Sequence, residues 1–294
     1  LPNLTTTWQD LCMDGILLPG HASGSFLRDP SSAHFVSATS LLRDCPRSLL
    51  SALHPTHPDR DTWLASFREE KDGIKSQDTY DVLTLDQCRA YREKGAPRAI
   101  PTMCVLTIKP DEMLRPHRAK SRIVVLGNHE DRIWTKSDKY APVLRPDTLR
   151  LIVSMAVQQR RTLKQGDCKN AFCNAKLPTE ETTVIRPPLG APNAKDGEYW
   201  LLKKTLYGLR RSPKHWYDMA SKALLEMGLT QSPHDPCLFH GFPSTPDHPA
   251  MEGDEPITIG LYVDDMVYYS LHDHVEKRFE QILASQFTVS FMGV

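Results

Sequence analysis

Runs of apolar residues predict two strands around a pair of adjacent carboxylates. β-Branched and aromatic residues fill positions 257–263 and again positions 266–269, with Asp264 and Asp265 between the two runs. Residues of these types favour strands, and a short polar step between two strands is typical of a hairpin. The pattern therefore predicts a hairpin with Asp264 and Asp265 at its tip.

The spacing of apolar positions predicts further elements along the chain. Strands are predicted over 103–109, within 115–127, over 163–167, over 199–204 and over 287–291. Apolar residues at helical spacing predict helices within 58–92, over 147–159, from Ser212 onward and over 272–286. In the first of these helices Trp63, Phe67 and Ile74 form the apolar face. Residues 1–54 carry only weak periodicity, and we treat them as a poorly determined N-terminal or linker region.

Composition limits the classes of protein to consider. The 294 residues carry a formal net charge of zero, so a nucleic-acid surface, if there is one, has to be local. The seven cysteines are scattered without a CxxC pair, which argues against a disulfide scaffold and for a reducing compartment. Since no apolar run approaches the roughly 18 residues of a membrane helix, we expect an intracellular protein without a membrane partner.

The Asp264-Asp265 pair is a candidate metal site. Two like charges this close need either water or a cation, although acidic residues are also common in plain solvated turns. Asp167, at the end of a predicted strand, is a candidate third carboxylate, with a simple capping role as the alternative. Three carboxylates on adjacent strand ends can hold two divalent cations about 3.5–4 Å apart, and all-oxygen ligands suit Mg²⁺. This chemistry points to nucleotidyl transfer.

Two basic segments are candidates for binding phosphate. Lys120 and Arg122 lie in a cationic run directly before apolar β residues, where they could grip a triphosphate or simply keep an edge strand soluble. Residues 203–214 contain five Lys or Arg and no acid, with Tyr207 among them. This second segment could bind a nucleic-acid backbone, or it could be the solvated start of a helix capped by Ser212 with Pro213 in its first turn.

Several of these motifs, in this order, resemble reverse transcriptases, and in particular those of copia-type LTR retrotransposons. The resemblance rests on Tyr-Val-Asp-Asp at 262–265, on Asp-Cys-Lys-Asn-Ala-Phe at 167–172 and on the run from Leu206 to Tyr217. It also includes residues 118–127, 141–143, 186–188 and 235–239, and it extends from about residue 55 to the end of the chain.

The resemblance implies an α+β, right-hand polymerase fold. Fingers are expected mainly over 55–160 and a palm mainly over 161–294, with a basic helix at 203–227 and the catalytic hairpin at 257–270. The chain stops at Val294, where this family next places the primer grip and thumb. We therefore expect the thumb to be absent or truncated.

The resemblance also implies roles for individual residues. Asp167 and Asp264 would be catalytic metal ligands, and Asp265 would support them as the third catalytic and metal-binding carboxylate. The carbonyl of Cys168 would be an additional metal ligand. Phe172 would stack under the sugar and exclude a 2′-hydroxyl. The other expected dNTP-binding residues are Lys120, Arg122, Tyr207 and Gly208, and the expected template or primer contacts are Arg210, Arg211, Lys214 and Tyr262.

The activity implied is RNA-directed DNA polymerisation, in which two Mg²⁺ ions, or Mn²⁺ in their place, support transfer from dNTPs to a primer 3′-hydroxyl. The partners would be an RNA or DNA template with its primer, and the integrase and RNase H parts of the same polyprotein. The location would be a cytoplasmic virus-like particle with a nuclear phase. Two alternatives stay open at this point: an inactive remnant that only binds nucleic acid, and a two-metal nuclease using the same carboxylates.

Overall fold

Two β-sheets with helices packed against them make up the part of the chain that the structure describes. The structure is a computed structural model, and it describes residues 45–111, 113, 115–192 and 197–292. Most of the region predicted as an N-terminal or linker segment, 1–54, lies outside these ranges. The mixture of helices and sheets agrees with the predicted mixed α and β class.

The elements follow one another along the chain as helices and short strands. The strands are β1 (Tyr80–Leu83), β2 (Ile100–Pro110), β3 (Pro116–Val125), β4 (Lys164–Cys168), β5 (Thr183–Arg186), β6 (Tyr199–Leu202), β7 (Leu229–Gln231), β8 (Leu238–Gly241), β9 (Ile257–Tyr262), β10 (Asp265–Ser270) and β11 (Val289–Met292). The helices are α1 (Leu49–Ala52), α2 (Arg60–Ser76), α3 (Leu85–Glu93), α4 (Lys136–Lys139), α5 (Pro146–Gln158), α6 (Ser212–Glu226) and α7 (Asp273–Gln286).

The strands form a five-stranded and a six-stranded sheet. The five-stranded sheet has the order β1-β6-β5-β2-β3, and all its neighbours are antiparallel except the parallel pair β2 and β5. The six-stranded sheet is antiparallel, in the order β11-β4-β10-β9-β8-β7. Residues on both sides of position 160 contribute to the five-stranded sheet, and the division into fingers and palm stays a prediction.

Helix α2 shows how the apolar pattern becomes packing. Trp63, Phe67 and Ile74 are buried, as their helical spacing predicts, and they face the core of the five-stranded sheet. The helix is also tied to β3, because the backbone N–H of Ile123 donates to the Glu70 carboxylate at 3.1 Å. An amphipathic helix that buries one face against a sheet gains most of its stability from that packing.

The region predicted as one helix within 58–92 contains three elements. After α2 the chain forms strand β1 and then α3, which begins at a capping box in which Thr84 and Gln87 satisfy each other's backbone N–H groups. Strand β1 has only four residues, and its burial does not alternate. Pairing with β6 stabilises this strand, and a local pattern does not show that pairing.

Helix α6 is shorter than the predicted basic helix at 203–227. It begins at Ser212, and residues 203–211 form a loop. Gly208 in this loop has a φ of 93°, which is incompatible with a helix. Ser212 does not cap the helix by its side chain, because its buried hydroxyl donates instead to the carbonyl of Leu206 at 2.7 Å.

The six-stranded sheet is covered by α5, α6 and α7, whose apolar faces share one core with it. In α7 the predicted face is buried, with Val275, Phe279, Ile282 and Leu283 each almost inaccessible. The sheet therefore presents the hairpin of β9 and β10 on a rigid, well-packed base.

No helix in the described ranges combines the length and apolar character needed to cross a membrane.

Candidate active site

The fold brings the three candidate carboxylates together. Strands β4 and β10 are antiparallel neighbours in which Asp167 lies opposite Asp265. The backbone N–H of Cys168 donates to the carbonyl of Asp264 at 2.9 Å, so the hairpin tip is attached to the end of β4. The predicted hairpin is confirmed, and Asp265 is already the first residue of β10, opposite Tyr262.

The turn between β9 and β10 is strained and is braced by a tryptophan. Val263 has a φ of 53°, an uncommon conformation for a β-branched residue. The buried ring of Trp216 in α6 donates its Nε1–H to the Val263 carbonyl at 2.7 Å. Strained residues persist only where their surroundings hold them, and they cluster at functional sites. Helical spacing had indicated only a packing role for Trp216.

Asp264 is a half-buried carboxylate, and one of its oxygens has no hydrogen-bond partner among the described residues. Its Oδ2 accepts a hydrogen bond from the hydroxyl of Tyr207 at 2.8 Å, and its buried Oδ1 has no hydrogen-bond partner among the described residues. Burial raises the pKa of Asp264 to about 6; the charges of Asp167 and Asp265 add to this rise, while the Tyr207 hydroxyl opposes it. A carboxylate in such surroundings is stabilised by a bound cation.

Two neighbours of the carboxylates complete the immediate surroundings. Gln165 in β4 donates from Nε2 to Oδ1 of Asp265 at 3.1 Å. Sequence reasoning placed Gln165 only in strand alternation, since its contact with Asp265 depends on strand pairing. Burial, followed by the charge of Asp167, raises the pKa of the Cys168 thiol to about 12, so this thiol is neutral at pH 7. The predicted use of the Cys168 carbonyl as a ligand stays a prediction.

An aromatic and cationic stack lies beside Asp264. The ring of Tyr207 meets the edge of the buried Phe172 ring with centroids 4.6 Å apart, and the Arg122 guanidinium lies 5.7 Å from the Tyr207 centroid. The contacts place Phe172 and Arg122 next to the side chain that binds Asp264. Lys120 is half-buried on the same strand as Arg122, and burial lowers its pKa, with the charge of Arg122 adding to this effect.

Gly208 lets the loop before α6 approach strand β3. The backbone N–H of Val125 donates to the carbonyl of Tyr207 at 2.7 Å. A Cβ atom on Gly208 would lie 2.0 Å from the Val125 carbonyl oxygen, so only glycine fits here. Gly208 therefore positions Tyr207, whereas its predicted contact with a dNTP stays a prediction.

The predicted template and primer residues lie around α6 and the end of β9. Arg210 donates from Nε to the Gly127 carbonyl at 2.7 Å, and Arg211 pairs with the buried Glu181. Lys214 pairs along α6 with Asp218 at 2.9 Å. Arg210 and Arg211 are thus engaged within the chain, and Tyr262 is half-buried at the end of β9. Their contacts with nucleic acid stay predictions.

Sequence reasoning missed the cluster around Glu181. This carboxylate also lies 3.2 Å from the Nε2 of His215, and the Arg211 guanidinium lies 4.7 Å from the ring centroid of Trp134. The cluster lines a pocket between the start of α6 and the segment before β5. No local signal could have found it, because its members are up to 81 positions apart in the chain (215 minus 134).

A family model described as reverse transcriptase (RNA-dependent DNA polymerase) matches residues 89–294, which include every catalytic candidate. The chain belongs to this family. Family members in general use divalent metal ions, in agreement with the open, buried oxygen of Asp264. The matched region contains β2 to β11, so it comprises nearly all of both sheets.

Curated relatives agree with the reverse transcriptase family and with its copia type. The chain is 26% identical over 249 residues to the retrovirus-related Pol polyprotein from transposon TNT 1-94 of Nicotiana tabacum, which covers 84% of this chain and 17% of that protein. It is 26% identical over 173 residues to the Pol polyprotein from transposon RE2 of Arabidopsis thaliana, covering 59% and 11% respectively. The transposon Ty1-DR4 Gag-Pol polyprotein of Saccharomyces cerevisiae is 23% identical over 238 residues, covering 80% and 13%. The chain thus spans less than a fifth of the length of these relatives.

Proposed function

We propose that this chain is the polymerase region of a retrotransposon Pol polyprotein and catalyses DNA synthesis directed by an RNA or DNA template. The observation that carries the proposal is the meeting of Asp167, Asp264 and Asp265 at the ends of β4, β9 and β10. Pairing of antiparallel strands brings together carboxylates that are almost 100 positions apart in sequence. This arrangement suits phosphoryl transfer with bound divalent ions.

The donor set fits Mg²⁺. Asp167 and Asp264 would hold the ions, with Asp265 beside them, and all the side-chain donors are carboxylate oxygens, the ligands that Mg²⁺ prefers. The open Oδ1 of Asp264 and the raised pKa of that group are the local signs that a cation belongs here. Two bound ions would stabilise the attacking and the leaving oxygen of an in-line displacement.

The remaining residues would position the substrates. The hydroxyl of Tyr207 holds Asp264 in one orientation, and Gly208 holds Tyr207 against β3. Phe172, which packs edge-to-face against Tyr207, would lie under the sugar and exclude a 2′-hydroxyl. Arg122, with Lys120 on the same strand, would bind the triphosphate.

In this proposal the fold is a right-hand polymerase. The six-stranded sheet with the hairpin would be the palm, and the five-stranded sheet with α2 would belong to the fingers. The partners would be a primed template, dNTPs and the integrase and RNase H regions of the same polyprotein. Synthesis would take place in a cytoplasmic virus-like particle.

The test is primer extension on an RNA template with dNTPs and Mg²⁺ or Mn²⁺. We expect extension by the 294-residue chain, or by this chain joined at Val294 to the segment that follows the matched region in the Nicotiana tabacum relative. Asp264→Asn and Asp167→Asn should each reduce incorporation by at least about 1,000-fold, or about 4 kcal/mol in activation free energy. Template binding, measured by fluorescence anisotropy, should stay within about threefold.

The other outcomes identify the alternatives. Binding of the template without incorporation, in both chains and with both ions, would support a remnant that only binds nucleic acid and would contradict the proposal. Strand cleavage without added dNTPs, lost in Asp264→Asn, would support a nuclease. Glu226→Ala, on the exposed face of α6, serves as the control variant that keeps wild-type extension.

A further inference from the structure

A second cluster of ligand-type side chains lies at the other end of β10 from the carboxylates. Strand β10 runs from Asp265 to Ser270, and the chain then enters α7 through His272. Ligand atoms of Asp254, His272 and His274 all lie within 4.8 Å of one another. The two histidines come from the start of α7, and the carboxylate comes from the loop before β9.

The carboxylate of Asp254 is buried and held by partners on one side. Its Oδ2 accepts the backbone N–H of Met251 at 2.7 Å and the guanidinium of Arg278. Its Oδ1 faces the Nε2 of His274 at 2.7 Å. Groups that hydrogen-bond to a metal-binding carboxylate without contacting the metal fix its orientation. The partners of Oδ2 thus direct Oδ1 at the imidazoles.

A buried nitrogen of the His272 imidazole is a second, independent sign of a bound ion at this place. The Nδ1 of this imidazole is buried and has no hydrogen-bond partner among the described residues. Its ring stacks on that of His274 with centroids 5.2 Å apart and planes inclined by 27°. Buried polar atoms without partners are rare in native proteins and need a specific explanation. A bound ion that keeps the imidazole neutral as a ligand would provide one.

The loop that supplies Asp254 is long. Residues 242–256 connect β8 to β9 without helix or strand. Connections of this length are usually functional when they are ordered. Arg278 binds two parts of this loop, because its guanidinium donates to the carbonyls of Pro243 at 2.8 Å and Pro249 at 3.2 Å. The same residue therefore anchors the loop and orients Asp254.

We propose that Asp254, His272 and His274 bind one Zn²⁺ ion, with water as the fourth ligand. Two imidazoles and a carboxylate match zinc, whereas the all-carboxylate set at the hairpin matches Mg²⁺. Tetrahedral bonds of about 2.0–2.1 Å place ligand atoms about 3.3 Å apart, so the 2.7 Å contact between Asp254 and His274 has to open by about 0.6 Å. The His274 side chain is 49% exposed, which allows this movement and gives the ion an entry path.

The ion would fasten the 242–256 loop to the start of α7 and so secure the base of the catalytic hairpin. Strand β9 begins immediately after this loop, and β10 ends immediately before His272. The role of the ion would therefore be to hold the loop and the helix start together. The site depends on none of the residues to which polymerisation is assigned.

The experiment measures Zn²⁺ binding to the chelator-treated, full 294-residue chain by titration calorimetry, with Co²⁺ absorption as a report on the ligands. The variant Asp167→Asn/Asp264→Asn, which weakens the other metal site, should still bind one equivalent of Zn²⁺. Removal of a residue that only hydrogen-bonds to a metal ligand costs roughly 10–100-fold in metal affinity. His274→Ala and His272→Ala remove ligands, so each should weaken zinc binding by more than this. His248→Ala, in the same loop but outside the cluster, should bind as the wild type does.

The visible absorption of bound Co²⁺ should follow the same pattern, and millimolar Mg²⁺ should not compete. Wild-type affinity in both His272→Ala and His274→Ala would overturn the proposal. So would the absence of zinc binding, or its loss in the Asp167→Asn/Asp264→Asn variant. Circular dichroism shows whether each variant is folded, and His274→Ala removes a half-exposed side chain, which the fold should tolerate.

Discussion

At the scale of single residues, the chemistry of the site depends on how much of Asp264 is shielded from water. Its described neighbours supply one hydrogen bond, from Tyr207, while the other oxygen is buried and has no partner in the described part of the chain. The charges of Asp167 and Asp265 act in the same direction as burial, and together they favour the protonated form. A site of this kind is unfavourable for the empty protein and favourable for cation binding.

Without metal ions, Asp264→Asn should stabilise the protein at high pH. The pKa of Asp264 is about 6 in the folded state and 3.8 in the unfolded state. The free energy of unfolding of the wild type therefore falls as the pH rises between these two values. Asparagine stays neutral, and the variant should be more stable above pH 7 by up to about 3 kcal/mol, with no difference below pH 4. Urea unfolding with a chelator, at pH 4 and pH 8, measures this.

A difference between Asp264→Asn and the wild type that stays the same at both pH values would contradict the assigned titration. Added Mg²⁺ supplies the control, because it should stabilise the wild type and leave the variant almost unchanged.

Phe172→Ala should admit ribonucleotides. Removal of the ring that packs on Tyr207 opens space where a 2′-hydroxyl would lie, and the preference for dNTPs should fall at least about tenfold, or about 1.4 kcal/mol. The measurement is the ratio of kcat/KM for a dNTP and the matching rNTP. This ratio is insensitive to the loss of folded protein expected when a buried ring is truncated. Phe172→Tyr keeps the ring and should keep the preference; an unchanged ratio in Phe172→Ala would refute the role.

At the scale of elements, the hairpin, β4, β3 and the loop before α6 hold the site together through backbone contacts. Strand pairing sets Asp167 opposite Asp265. The hydrogen bond from Val125 to Tyr207 joins β3 to the loop whose Tyr207 hydroxyl donates to Asp264. The hairpin and β3 could be predicted because each has a local pattern. The loop contact could not, since it depends on Gly208 meeting a strand about 80 residues away.

Gly208→Ala should disturb both the fold and the site. The added Cβ would lie 2.0 Å from the Val125 carbonyl oxygen in a conformation with φ of 93°, so the backbone has to move. Gly253→Ala is the matched control: its φ is 82°, and no atom of the described residues lies within 4 Å of the added atom. We expect Gly253→Ala to lower the free energy of unfolding by about 1–2 kcal/mol, from backbone conformation alone. Gly208→Ala should lower it by at least about 2 kcal/mol more.

Urea unfolding measures the effects of both glycine substitutions. Equal losses of stability in Gly208→Ala and Gly253→Ala would show that the close approach to β3 contributes nothing beyond backbone conformation.

At the scale of the whole molecule, distant segments are joined by buried ion pairs. Glu181, before β5, binds Arg211 and His215 at the start of α6, and Arg211 also donates to the carbonyl of Asp138 in α4 at 3.1 Å. The cluster ties α6, which carries Trp216, to segments outside the six-stranded sheet. Placement of the strained turn thus depends on contacts well away from it.

Glu181→Ala should destabilise the protein by about 3–5 kcal/mol, because it leaves the partly buried Arg211 without its carboxylate partner. Glu226→Ala breaks an exposed pair with Lys222 and should cost no more than about 0.5 kcal/mol. The double variant Glu181→Leu/Arg211→Met should recover much of the loss. Denaturant unfolding measures all three, and a loss in Glu181→Ala as small as in Glu226→Ala would contradict the structural role of the cluster.

The sequence by itself determined the local elements and the family. Alternation and helical spacing predicted the hairpin, β3, β4 and the face of α7, because these patterns record which side of each element is buried. Three carboxylates in a recognisable order were enough to predict the chemistry. The predicted start of α6 was wrong, because loop contacts decide where this helix begins. Strand β1 was missed, because its pairing with β6 stabilises it.

Only the tertiary structure decided what surrounds those carboxylates. The bonds from Tyr207 to Asp264, from Trp216 to Val263 and from Gln165 to Asp265 join residues 47 to 100 positions apart. Their partners are selected by sheet register and helix packing, which no local pattern contains. The cluster of Asp254, His272 and His274 has the same origin, because the pairing of β9 with β10 places the loop before β9 beside the start of the helix after β10.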